Sequence, residues 1–139
     1  MRLTTYSDGG ARGNPGPAAI GIVVCDAKGK VLKEHSDLIG RATNNVAEYC
    51  ALVGALALAS LLGAREVDVF VDSEVVCRQM TGAYKVKADH LKQLLAAARE
   101  EAGKFEKVTY RHVPRTHPMI ERADRLVNRA LDEAREESL

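Results

Sequence analysis

Apolar and polar positions alternate with a period of two in residues 2–8 (RLTTYSD) and 66–72 (EVDVFVD). This is the pattern of half-buried strands, and both runs end on an aspartate. Residues 9–17 (GGARGNPGP) hold four glycines and two prolines and predict a loop. The apolar run 18–26 predicts a buried strand, 27–29 (AKG) a hairpin turn and 30–40 the returning strand. Residues 43–64 (TNNVAEYCALVGALALASLLGA) are apolar nearly all round. They predict a helix capped by Thr43 or Asn44, running to about Leu62, stopped by Gly63 and covered on most sides. A short helix over 73–82, capped by Ser73, leads through a basic connector (83–89) to a third helix (90–103). A strand (107–113), a loop (114–119) and an amphipathic helix (120–137) follow. This order predicts an α/β fold, a five-stranded mixed sheet with helices packed on its faces. No repeat, low-complexity tract or linker interrupts it, so residues 1–139 read as one domain.

Composition narrows the class. With 46% apolar and 28% charged residues the chain reads as soluble and globular, and 139 residues suffice for a core without staples. Cys25, Cys50 and Cys77 are odd in number and widely spaced, which predicts reduced thiols in an intracellular, cytoplasmic protein. No basic-then-apolar leader follows Met1. Only residues 49–64 lie between Glu48 and Arg65, fewer than the roughly 20 strongly apolar residues of a membrane span, so a buried helix is expected and no membrane partner. A net charge of +1 neither suggests nor excludes a nucleic-acid partner, and a monomer is the default expectation.

Charge placement raises one question. Glu48 stands alone at the head of the apolar run, and a carboxylate pressed against apolar surface needs a compensating partner. In a strand Tyr6 and Asp8 share one face, as do Phe70 and Asp72. Ligands of open α/β sheets bind beyond the carboxyl ends of the strands, so parallel neighbours would bring Asp8 and Asp72 together. Glu48, on a first helical turn, reaches the same rim, and Asp124 lies at the edge of the buried stripe of the closing helix. Carboxylates this close stay ionised only around a cation, and an oxygen-only set favours a hard ion, Mg²⁺ or Mn²⁺. Each also has a plainer reading. Asp8 would start a turn, Asp72 cap a strand end, Glu48 satisfy first-turn amides and Asp124 face solvent.

The segments YSDGGARGNPGPAAIG, TNNVAEYCAL, VDSEVVCRQMTGAYKVK and ERADRLVNRAL resemble type 1 ribonuclease H in order and spacing, over nearly the whole chain. The GAYKVK stretch, with no long tryptophan-bearing basic insert, is similar to the compact, archaeal-type branch also found in bacteria. The resemblance implies a ribonuclease H-like fold and hydrolysis of the RNA strand of RNA–DNA hybrids with two divalent ions. It assigns the catalytic carboxylates to Asp8, Glu48, Asp72 and Asp124. Asp8 would bridge both ions, Asp124 help hold the one activating water, and Glu48 and Asp72 hold the one that stabilises the leaving 3′ oxygen.

The same resemblance implies hybrid contacts by Asn14, Asn44 and Asn45, whose short amides reach minor-groove edges and 2′-hydroxyls. It adds a DNA-phosphate contact by Thr43 and phosphate contacts by Lys85 and Lys87. Asn at a helix start is equally a cap, and lysines in a connector are equally a solvated surface. Glu74 stands where many relatives carry Gln, replacing a donor with an acceptor. The segment VPRTHPMIERAD is slightly longer than the branch's usual spacing. His117 within it is the candidate for assisting product departure, against the alternative of an exposed histidine with no task. Two other functions fit the same fold: a silent hybrid-binding module and a DNA-junction resolvase.

Overall fold

A computed structural model describes residues 1–137. The elements run β1 (Arg2–Ala11), β2 (Gly16–Asp26), β3 (Val31–Ala42), α1 (Asn44–Leu61), β4 (Glu66–Val71), α2 (Glu74–Met80), α3 (Asp89–Ala102), β5 (Lys107–His112) and α4 (Pro118–Glu137). The five strands form one sheet in the order β3-β2-β1-β4-β5. Strands β1, β2 and β3 pair antiparallel, and β1, β4 and β5 pair parallel, so the sheet is mixed as expected.

Several element boundaries differ from the sequence reading, two of them beside the candidate site residues. Strand β1 does not end at Asp8 but continues to Ala11, because Gly9, Gly10 and Ala11 pair with Ile20, Ala19 and Ala18 of β2. The glycine- and proline-rich stretch therefore contributes to two strands, and only residues 12–15 turn the chain. Glycine disfavours an isolated strand, yet here a neighbouring strand supplies the hydrogen bonds. Helix α4 begins at Pro118 rather than residue 120, with proline in the first helical position, where its missing N–H has no partner to lose.

Alternation sends Leu3, Thr5, Ser7 and Gly9 to one face of β1, and Tyr6 and Asp8 to the other. On the first face Leu3, Ile20, Ile22 and Val24 pack against Ala51 and Ala55 of α1. Tyr49, Leu52 and Leu56 extend this core to β4, α2 and α3. By length and composition alone α1 could cross a membrane, but Ala47, Tyr49, Ala51, Leu52, Ala55, Leu56 and Ala59 are buried within the fold. On the opposite face Ala19, Val23 and Cys25 meet Ala123, Leu126, Val127 and Leu131 of α4.

Two glycines let these helices approach the sheet closely. A Cβ on Gly9 would lie 2.1 Å from the Ala47 carbonyl oxygen of α1, and one on Gly21 would lie 2.2 Å from the Ala123 carbonyl oxygen of α4. No side chain fits at either position. Thr43 caps α1 by accepting from the Val46 N–H at 3.3 Å, and Ser73 caps α2 by accepting from the Val76 N–H at 3.2 Å.

Candidate active site

The parallel pairing of β1 with β4 ends at Ser7 and Val71, so Asp8 and Asp72 occupy the next position on adjacent strands. Tyr6 and Phe70, one pair earlier on the same face, stack with ring centroids 5.1 Å apart, which fixes the register behind the two carboxylates. Glu48 follows Ala47, the residue that sits over Gly9. Asp124 follows Ala123, the residue that sits over Gly21, and Gly21 is the antiparallel partner of Asp8. Each glycine thus brings one helix backbone down beside Asp8 and carries a carboxylate with it.

Asp8, Glu48 and Asp72 border one small cavity of about 10 Å³, with Ser7, Gly9, Val71, Ser73 and Val76 completing its wall. Asp124 stands within hydrogen-bonding reach of Asp8. Burial, the Asp72 charge, the contact with Asp124 and the Glu48 charge together push the Asp8 carboxyl up to about 8. Burial also raises Glu48, with Asp72 adding to it, while the Ser73 hydroxyl and Arg115 act the other way. The Glu48 Oε2 atom is buried with no hydrogen-bond partner. Arg115 Nε lies 3.7 Å from Asp72 Oδ2, and His112 Nε2 lies 3.1 Å from the Asp72 carbonyl oxygen.

Among the described residues, no three His, Cys, Asp or Glu side chains are drawn into a ready-made coordination group. Asp8, Glu48 and Asp72 border a common cleft without converging on one point. Their chemistry nevertheless suits a hard divalent cation, with oxygen donors only, an Asp8 carboxyl raised by burial and by the neighbouring carboxylates, and a buried carboxylate oxygen without a hydrogen-bond partner. A much larger cavity, about 400 Å³, lies between β2, β3 and the end of α4, but Arg12, Arg41 and Arg135 surround it and no carboxylate lines it. Size therefore does not mark the reactive cleft here; titratable groups do.

The remaining predicted residues fall into three places. Asn14, Thr43, Asn44 and Asn45 cluster where the 12–15 turn meets the start of α1. Asn14 Oδ1 accepts from the Asn44 N–H at 3.0 Å, and Asn44 Oδ1 accepts from the Ala11 N–H at 2.9 Å. The cap is Thr43, not Asn44, so Asn44 ties the helix to β1 instead. Both carbonyl oxygens are thus engaged, and the amide NH₂ groups of Asn14 and Asn44 form no hydrogen bond among the described residues, with exposed Asn45 beside them. Glu74 is exposed and bonded to Arg78 Nε at 2.9 Å. Lys85 and Lys87 stand in the connector before α3 and form no ion pair among the described residues.

His117 is neither exposed nor idle. It is half-buried, its ring stacks on Tyr6 at 5.2 Å and tilts against Phe70 at 6.4 Å. Its Nδ1 accepts from the Met119 N–H at 3.2 Å, and its carbonyl accepts from the Glu121 N–H at 2.9 Å, so it caps α4. Sequence reasoning passed over several other groups. Gly9 and Gly21 carried only a turn or strand signal, and Ser7 only the alternation of its strand. Asn128, unlike these, is visible in the sequence, one turn after Asp124, as a possible metal-facing group or a polar position beside the buried stripe; its Nδ2 donates to Asp124 Oδ2 at 3.2 Å. The i, i+4 spacing of these two residues was the available signal.

A family model described as reverse transcriptase-like matches residues 6–130. The bifunctional protein Rv2228c of Mycobacterium tuberculosis is 47% identical over 135 residues, which are 96% of this chain and 36% of that protein. The chain thus spans about a third of the length of its mycobacterial relatives. Ribonuclease HI of Halobacterium salinarum is 44% identical, across 96% of this chain and 66% of the relative. The crystal structure of the RNase H1 from that archaeon superposes with a TM-score of 0.92, covering 96% of this chain and 99% of the other. LC11-RNase H1, solved in complex with an RNA/DNA hybrid, is 46% identical with a TM-score of 0.88, over 95% of this chain and 98% of that one.

Proposed function

Because the chain belongs to the type 1 ribonuclease H family, we propose that it is a metal-dependent endonuclease hydrolysing the RNA strand of RNA–DNA hybrids. The observation that carries this reading is the gathering of Asp8, Glu48 and Asp72 on one cleft, with Asp124 against Asp8, at the open end of the parallel strands. The hybrid bound to LC11-RNase H1 supports the substrate class.

Asp8, Glu48, Asp72 and Asp124 would hold two divalent cations, Mg²⁺ or Mn²⁺. Such a pair supplies electrostatic stabilisation of the attacking and leaving oxygens in an in-line displacement at phosphorus. The protein's own contribution is placement. Asp8, which feels both Asp72 and Asp124, would serve both ions, and Glu48 would enter from the α1 side. Asn14 and Asn44, held by their carbonyl oxygens, present NH₂ donors to the 2′-hydroxyls and base edges that distinguish RNA. Asn45 adds a neighbouring donor, and Thr43, Lys85 and Lys87 take phosphates. Glu74, already paired with Arg78, takes no donor role.

The test is cleavage of labelled hybrid, duplex DNA and duplex RNA in Mg²⁺, Mn²⁺ or EDTA. Expected is metal-dependent cutting of the hybrid's RNA strand, leaving 5′-phosphate and 3′-hydroxyl ends. Ends bearing a 2′,3′-cyclic phosphate would make the 2′-hydroxyl the nucleophile and sink the proposal. Binding without cutting would instead mark a silent hybrid-binding module.

A further inference from the structure

We propose that Ser7 is a positioning residue for Glu48, acting through a single enclosed water that joins its hydroxyl to the Glu48 carboxylate. The inference rests on the metal-dependent reading above and adds a residue that the carboxylate set does not include.

The strand's alternation sends Ser7 towards α1, away from Asp8, and leaves it 3% exposed. A buried strand position of this kind ordinarily carries an apolar side chain, because a buried hydroxyl without a partner loses its hydrogen bonds to water and gains none. Ser7 Oγ has no protein partner, and neither does Glu48 Oε2. Both residues border the same cavity of about 10 Å³. That volume corresponds to roughly one water, and a buried water is stable where two or more polar groups receive it. Thr5 Oγ1 is also unpartnered, but Thr5 lies one step deeper on the strand and does not line the cavity.

A water held by Ser7 satisfies both orphaned oxygens and fixes the rotation of the Glu48 carboxylate. Groups that orient a ligand from behind govern metal affinity without touching the metal. A hydroxyl that merely happened to be buried would have the opposite signature, since its removal would improve stability and change nothing else.

The experiment compares wild type, Ser7→Ala and Ser7→Thr. It measures calorimetric Mn²⁺ binding to the metal-free protein, melting temperature in EDTA, and kcat and KM on hybrid at saturating Mg²⁺. For Ser7→Ala the expected result is a melting temperature in EDTA at or slightly below wild type, Mn²⁺ affinity reduced about tenfold and an unchanged KM for hybrid. Ser7→Thr, which keeps the hydroxyl, should restore most of that affinity. Unchanged Mn²⁺ affinity in Ser7→Ala overturns the role of Ser7 alone. A wild type that takes up no Mn²⁺ overturns the functional reading on which it rests. Should Ser7→Ala fail to fold, a high-resolution crystal structure of the wild type decides. An ordered water touching Ser7 Oγ and Glu48 Oε2 supports the proposal, and a protein partner on either oxygen overturns it.

Discussion

Asp8 carries the charge that the metal-free fold holds least easily. Its carboxyl rises from an ordinary 3.8 to about 8 in the folded protein. A raised folded-state value means that the stability associated with the protonated carboxyl is fully present below pH 3.8 and is lost as pH climbs towards 8. Asp8→Asn removes this dependence. In EDTA the variant should melt with wild type near pH 4 and above it by about 5 °C or more at pH 8, while cleavage is abolished. Paired melting curves across that range check the claim. A variant that melts below wild type at pH 8 would show that Asp8 is not under strain from its neighbours.

Among the secondary-structure elements, two glycines decide how closely the helices sit. Gly9→Ala and Gly21→Ala each drive a Cβ to about 2 Å from a helix carbonyl, and each should destabilise the fold by about 3 kcal/mol with loss of cleavage. Gly10→Ala is the control, since its Cβ would meet only Val127 Cγ1, at 3.8 Å. Urea unfolding of the three variants separates the cases. Equal stability of all three would mean that the backbones yield without resistance. His117 acts at the same level, closing the first turn of the helix that carries Asp124. His117→Ala should therefore cost about 1 kcal/mol of stability and slow single and multiple turnover alike. A loss confined to multiple turnover would instead support the expected role in product departure.

Over the whole molecule a net charge of +1 conceals an uneven distribution. Arg2, Arg12, Arg78 and Arg122 are committed to Asp68, Asp132, Glu74 and Glu34, whereas Lys85 and Lys87 stand in the connector without ion pairs among the described residues. Unpaired cations in one segment are available to a polyanion whatever the net charge. Replacing both lysines by alanine should weaken hybrid binding. It should also lower the slope of log affinity against log salt by roughly 0.7 to 0.9 for each phosphate no longer neutralised. An unchanged slope in a salt titration would return both residues to ordinary solvated surface.

Features that depend on neighbours along the chain were legible in the residues alone. Period-two alternation placed Asp8 with Tyr6 and Asp72 with Phe70, Ser73 marked where α2 begins, and Thr43 or Asn44 marked where α1 begins, the choice of Thr43 falling to the folded structure. Short-range sterics and local hydrogen bonds govern such features, and both are written in adjacent residues. Folding in three dimensions settled what depends on partners far away. Pairing with β2 carried β1 past Asp8, and the absence of side chains at Gly9 and Gly21 mattered only once Ala47 and Ala123 lay above them. Whether His117 was an exposed loop residue or a cap stacked on Tyr6 turned on a contact with the far end of the chain. Ser7 became conspicuous only when packing closed over it and left its hydroxyl, beside Glu48, with no partner but what the cleft can hold.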